Sequence, residues 1–127
     1  MSRQAIAKKI EFDELNFWIE NLVIFICVVK PEEGQNEFKD IPSTDGMKLS
    51  LKTSELLKHR LENDLPAKHI VELKTAFREK DFNTFSRVTM QESNQLHAIC
   101  LDTMPALFYM NQSSKHIVNL VRDLNAA

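Results

Sequence analysis

Glycine is nearly missing from this chain: its 127 residues include only Gly34 and Gly46, well separated. A backbone phosphate cradle needs several glycines in one loop, so a self-contained nucleotide site of the common kinds is excluded. Cysteine is equally scarce. Cys27 and Cys100 lie in apolar sequence and fit no paired-ligand spacing. They read as two buried, reduced thiols, with no metal site and no disulfide. Long apolar runs are also lacking. The longest, Leu22 to Val29, falls far short of the roughly 20 residues a membrane span needs. The opening MSRQAIAKKI is basic but is not followed by a signal-peptide apolar core and cleavage site, so a cytoplasmic location is expected. Neither sign of charge dominates: a net charge of -2 and a pI near 6.1 give no reason to expect a nucleic-acid surface.

The composition that remains is ordinary for a globular chain, with 43% hydrophobic and 27% charged residues, and the length suits one domain with a single core. Leu22 to Val29 (LVIFICVV) is a continuous β-branched and aromatic run, which predicts a fully buried strand ended by Lys30-Pro31. A polar loop follows to Pro42. Beyond it the pattern is helical. Ser43 or Thr44 can cap a helix running to Arg60, Asn63 and Asp64 break it, and Pro66 fits the first turn of the next. Ile70, Leu73 and Phe77 mark the inner face of that helix. Asp81 caps a third, with Phe82, Phe85, Val88 and Thr89 inward, which Met104-Pro105 interrupts. Asn111 to Ser114 offer caps for a last helix striped by Ile117, Leu120, Val121 and Leu124. A lone strand leaves two unpaired edges. The pattern therefore describes part of an α+β domain, helix-rich, whose partner strands lie outside this chain or in another chain.

Few residues invite chemistry. In Ser43-Thr44-Asp45-Gly46-Met47, two hydroxyls sit where a loop becomes a helix, and Gly46 would let backbone approach a ligand closely. That geometry suits phosphate or diphosphate. An ordinary N-cap fits the same residues, and by themselves they favour it. His97 and Cys100, at i and i+3, share a helix face; packing near a core is favoured over a nucleophile pair or half a metal site, since spacing places no third group. His59, His69 and His116 read as solvated or helix-end positions, and Glu92 as solvated. Asp102 reads as a helix-end bond and Tyr109 as a half-buried ring with a bonded hydroxyl. Met47, Met90, Met104 and Met110 read as packing residues, and Lys48, Lys52 and Lys58 as a solvated face.

Three stretches together resemble one family. STDGM (Ser43 to Met47), TSELLKHR (Thr53 to Arg60), and the run from Asp81-Phe82 through TMQESNQLHAICLDT to FYMN (Phe108 to Asn111) are similar to diphosphomevalonate decarboxylases of the GHMP kinase superfamily. The resemblance runs from about Ala5 to Asn125. Departures are Pro105-Ala106, where the family commonly has two prolines, and Leu96, where phenylalanine is usual.

The resemblance implies a partial C-terminal GHMP-type domain over residues 1–127 and a role in making isopentenyl diphosphate, ADP, phosphate and CO2 from mevalonate 5-diphosphate. It implies that Ser43 and Thr44 contact the substrate's diphosphate, with Met47 near the same substrate. In the family, ATP with Mg2+ phosphorylates the tertiary hydroxyl. The ATP loop, the carboxylate-binding arginine and the catalytic aspartate would lie outside these residues, so no catalytic, nucleotide-binding or metal-binding residue is expected here. Asp102 does not stand in for the missing aspartate. The expected partners are the remainder of the enzyme or a second chain, with a homodimer compatible. The competing expectation is a non-catalytic helical interaction module derived from that enzyme, adding its strand edge at Leu22 to Val29 to a partner sheet.

Overall fold

The computed structural model describes residues 11–28 and 41–126, and there the chain forms six helices. These are α1 (Leu15–Asn21), α2 (Ser43–Thr53), α3 (Glu55–Glu62), α4 (Leu65–Glu79), α5 (Phe82–Asp102) and α6 (Gln112–Ala126). Short polar side chains set several starts. The Asp81 carboxylate accepts the Thr84 N–H at 3.1 Å ahead of α5, and Asn111 Oδ1 accepts the Ser114 N–H at 2.8 Å ahead of α6. Pro66 occupies the first turn of α4, where its missing N–H costs nothing.

Two expectations about the elements themselves need correction. The helix predicted from Ser43 or Thr44 to Arg60 is two helices, because Ser54 turns extended (φ -83°, ψ 116°) and caps α3 by accepting the Leu57 N–H at 3.1 Å. Asp102, from the end of α5, secures that break: its Oδ2 accepts from Ser54 Oγ at 2.8 Å and from the Leu56 N–H at 3.0 Å. The buried strand is not formed. Residues 22–28 carry no ladder, and Val23, Ile24, Phe25, Ile26 and Val28 are 72–87% exposed. β-Propensity makes a strand only where a partner supplies hydrogen bonds, and none of the described residues does so. Val29 and the loop through residue 40 lie outside the described residues. The fold is therefore helix-rich, with no strand among the described residues.

Helix α5 is the spine, packing against α2, α3 and α4, with α4 its most extensive neighbour. Val88 and Ala76 are almost completely buried at that contact, and Ile99 and Cys100 continue the core towards Leu107. Burial pushes the Cys100 thiol above its ordinary pKa, which suits an inert packing residue, whereas Cys27 is exposed rather than buried. Trp18 docks α1: its Nε1–H donates to the Phe77 carbonyl at 2.9 Å, and its ring meets Phe77 and Phe85 at 5.3 Å. The stripe on α6 stays unburied, with Leu120, Val121 and Leu124 47–68% exposed. Met47, Met90 and Met104 are also more than half exposed, so the packing role read for them does not hold among the described residues.

His69 is not solvated either, and Glu92 is so only in part. His69 is two turns before Ala76, on the same buried face of α4. Its Nδ1 meets Glu92 Oε1, while Arg60 Nη2 reaches both oxygens of Glu92, at 2.7 and 2.5 Å. Glu92 thus joins α3, α4 and α5. The Arg60 hydrogen bond is the main reason its carboxyl lies below the usual value, with His69 adding to it against desolvation. An ionised carboxylate only accepts, so His69 Nδ1 carries the proton.

The Asp81, Glu92 and Asp102 carboxyls are all held low, chiefly by the hydrogen bonds from Thr84, Arg60 and the Leu56 N–H respectively. A depressed carboxyl stabilises the fold fully above its unfolded value, and that stability is lost as pH falls through the folded one. The loss begins below ordinary values of 3.8 for the aspartates and 4.5 for Glu92. With Glu92 about one third exposed, Glu92→Gln should cost about 1–3 kcal/mol at neutral pH, between the surface and buried limits. It should also flatten the acid limb of the melting profile. Melts of both proteins from pH 7 to pH 3 check this, and an unchanged acid slope would refute it.

Candidate functional site

Helix α2 begins at Ser43, with Pro42 as the N-cap residue in extended geometry (φ -57°, ψ 147°) and no side-chain cap. This alters the cap expected at Ser43 or Thr44, since both residues are inside the helix, in its first turn. The Pro42 carbonyl accepts the N–H groups of Asp45 at 3.0 Å and Gly46 at 2.9 Å. Ser43, Thr44 and Met47 are all exposed at this end. Met47 lies four residues from Ser43 and three from Thr44, so the helical repeat groups the three on one side. Asp45, also in the first turn, opposes an incoming anion, but Lys48 Nζ lies 3.1 Å from its carboxylate and offsets that charge.

Gly46 does something other than expected. It is buried, and a Cβ there would stand 2.3 Å from the Tyr109 hydroxyl and 3.1 Å from Leu107 Cδ1. Its missing side chain makes room for Tyr109 rather than for a ligand. Tyr109 is half-buried, as read from the sequence, and its hydroxyl donates to the Ile41 carbonyl at 3.1 Å. One ring thus covers the first turn of α2 and fastens the residue ahead of Pro42.

The same region is tied to α5 from behind. Ser50 Oγ and Thr103 Oγ1 are buried 2.8 Å apart, Ser50 also faces the Gly46 carbonyl at 3.0 Å, and Thr103 faces the Ile99 carbonyl at 2.8 Å. Only two hydroxyl protons serve these three contacts, so one of the three is without a proton in any given arrangement. The Met104 N–H donates to Thr53 Oγ1 at 2.9 Å, and the Leu107 N–H to the Cys100 carbonyl at 2.9 Å. Sequence reasoning missed Ser50, Ser54 and Thr103; a serine followed by an acidic residue, as in Ser54-Glu55, was the one local signal for a second helix start.

The other candidates do not assemble into a site. His97 is half-buried and Cys100 buried, and Asp102 points its charge at the start of α3. Among the described residues no group of three His, Cys, Asp or Glu could hold a metal ion, and no helix is long and apolar enough to cross a membrane. Nor does Gly46 offer a nucleotide cradle, since Tyr109 fills the space beside it.

A helix-rich domain with an exposed, hydroxyl-bearing helix start is the class that this geometry defines, and the comparisons name it. A family profile described as the mevalonate 5-diphosphate decarboxylase C-terminal domain matches residues 24–127. Diphosphomevalonate decarboxylase of Schizosaccharomyces pombe is 47% identical over 88 residues, covering 69% of this chain and 22% of that protein. A crystal structure of mevalonate 5-diphosphate decarboxylase is 46% identical with a TM-score of 0.66, over 71% of this chain and 23% of that one. A further neighbour, MDDEF, was solved in complex with MVAPP, AMPPCP and magnesium; it is 28% identical with a TM-score of 0.64, over 70% of this chain and 27% of that one. The chain belongs to the mevalonate 5-diphosphate decarboxylase family. It spans about a quarter of the length of the relatives it matches.

Packing at Gly46 gives a stability test. Gly46→Ala should cost about 1–3 kcal/mol by overpacking, despite the better helix propensity of alanine. In a Tyr109→Phe background that cost should vanish and turn into a gain, because the closest atom is gone and alanine fills the space with a better helix former. Denaturant unfolding of the four proteins in this double-mutant cycle measures the coupling, and additive effects would refute the account.

Proposed function

We propose that this chain supplies the substrate-side helix start of a diphosphomevalonate decarboxylase, with Ser43 and Thr44 binding the diphosphate of mevalonate 5-diphosphate and Met47 lying against the same substrate. The observation that carries the reading is the exposure of all three residues at one end of α2, on a turn held by Tyr109 and by the Ser50–Thr103 pair. Hydroxyls and a helix start of positive dipole suit an anion. The complex of MDDEF with MVAPP supports the same ligand here.

The reaction is that of the family, ATP-dependent decarboxylation to isopentenyl diphosphate, and Mg2+-ATP is held elsewhere in the enzyme. The remainder of that enzyme, or a second copy in a dimer, covers the exposed apolar residues 23–28 and the α6 stripe. By itself the chain releases no phosphate from ATP in the presence of mevalonate 5-diphosphate; release that depends on that substrate would overturn this part of the reading.

Binding tests the rest. Mevalonate 5-diphosphate titrated into the isotope-labelled chain should shift the amide resonances of residues 43–47. The double variant Ser43→Ala/Thr44→Val should weaken binding about tenfold or more, for two lost hydrogen bonds to a charged group. Equal affinity in variant and parent would remove these residues from the site.

A further inference from the structure

We propose that Tyr109 is a positioning residue for the diphosphate site: its hydroxyl, bonded to the Ile41 carbonyl, fixes the direction in which the first turn of α2 presents Ser43 and Thr44. The inference rests on the reading of Ser43 and Thr44 as diphosphate-binding residues.

Three observations carry it. First, Gly46 lies inside α2, where glycine is a poor helix former. Its use there is explained by space: the Tyr109 hydroxyl stands 2.3 Å from where a Cβ would be. Second, the two carbonyls ahead of Ser43 are both engaged, Ile41 by the Tyr109 hydroxyl at 3.1 Å and Pro42 by the N–H groups of Asp45 and Gly46 at 3.0 and 2.9 Å. A turn with both carbonyls held has little freedom to rotate the hydroxyls that follow it. Third, the ring comes from a fixed base. Leu107 is buried and its N–H donates to the Cys100 carbonyl at 2.9 Å, while Thr103 and Met104 are bonded to Ser50 and Thr53 of α2. Tyr109 therefore transfers the position of α5 to the start of α2, 68 residues earlier than itself at Ile41. Holding binding groups through a rigid supporting shell is what gives a site its precision.

A packing role and a positioning role are separated by filling the space without restoring the bond. Tyr109→Phe removes the hydroxyl and keeps the ring. Adding Gly46→Ala places a methyl where the hydroxyl was crowded, but nothing donates to Ile41. The 127-residue chain and its variants are titrated with mevalonate 5-diphosphate, and each is melted in parallel. Tyr109→Phe should raise the Kd about three- to tenfold, the loss of one hydrogen bond. Tyr109→Phe/Gly46→Ala should recover the melting temperature but not the affinity. Parental affinity in Tyr109→Phe, or affinity and melting temperature recovered together in the double variant, would overturn the inference. If the parent chain binds nothing, or Ser43→Ala/Thr44→Val binds as the parent does, the diphosphate reading fails first and takes the inference with it. If that double variant loses affinity while Tyr109→Phe does not, only the positioning role falls.

Discussion

The carboxyl end of α5 is the join on which the arrangement of α2 and α3 depends. Asp102 and Thr103 are adjacent, yet they secure different helices: Asp102 accepts two donors at the start of α3, and Thr103 meets Ser50 on α2. Hydrogen bonds in a partly dry setting are strongly directional, and an unmade one is costly. The break at Ser54 and the angle between α2 and α3 are thus fixed from outside either helix. Leu107 and Tyr109 then continue from the same end of α5 to the first turn of α2.

Polar groups do much of the work that apolar packing does in larger domains. Ser50, Ser54, His69 and Thr103 are all buried, alongside a short set of apolar core residues. Such groups fix one geometry more sharply than aliphatic side chains, provided their partners are present. Not every buried polar atom is satisfied among the described residues: Arg60 Nη1, in the cluster around Glu92, and Gln95 Oε1 are buried without a partner. Its strength therefore comes from the charged pairs at Glu92, and less from saturation of every donor and acceptor.

What could be read from the sequence follows from how local each cause is. The starts at Pro66, Asp81 and Asn111 depend on atoms within one turn, and they fall where the residues indicate. The division at Ser54 depends on Asp102, 48 residues away, and no window along the chain contains both. Residues 22–28 have the composition of a strand, but a ladder is a relation between two segments, and only one is present among the described residues. At His69 the residue type pointed to solvent, and the inner face was read through Ile70, Leu73 and Phe77; the buried face runs instead through His69 and Ala76, with Ile70 44% exposed, because Glu92 waits on the facing helix. For Asp102 and Tyr109 the kind of bond was legible and the partner was not. The exposed side of α2 at Ser43, Thr44 and Met47 was legible only through resemblance, since hydroxyls at a helix start serve caps more often than ligands.

The extended run from Val23 to Val28 has a bearing on how the chain behaves in company. Its side chains are β-branched or aromatic except for Cys27, it carries no charge, proline or glycine, and its five large apolar side chains are 72–87% exposed. That is the composition of segments that stack in register as cross-β sheets, dry face against dry face. Stacking of that kind depends steeply on concentration, whereas packing of helices within one chain does not. For this polypeptide in isolation, crowding with copies of itself is therefore a separate hazard from heat or acid, and a charged residue on that segment would relieve it without touching the helices.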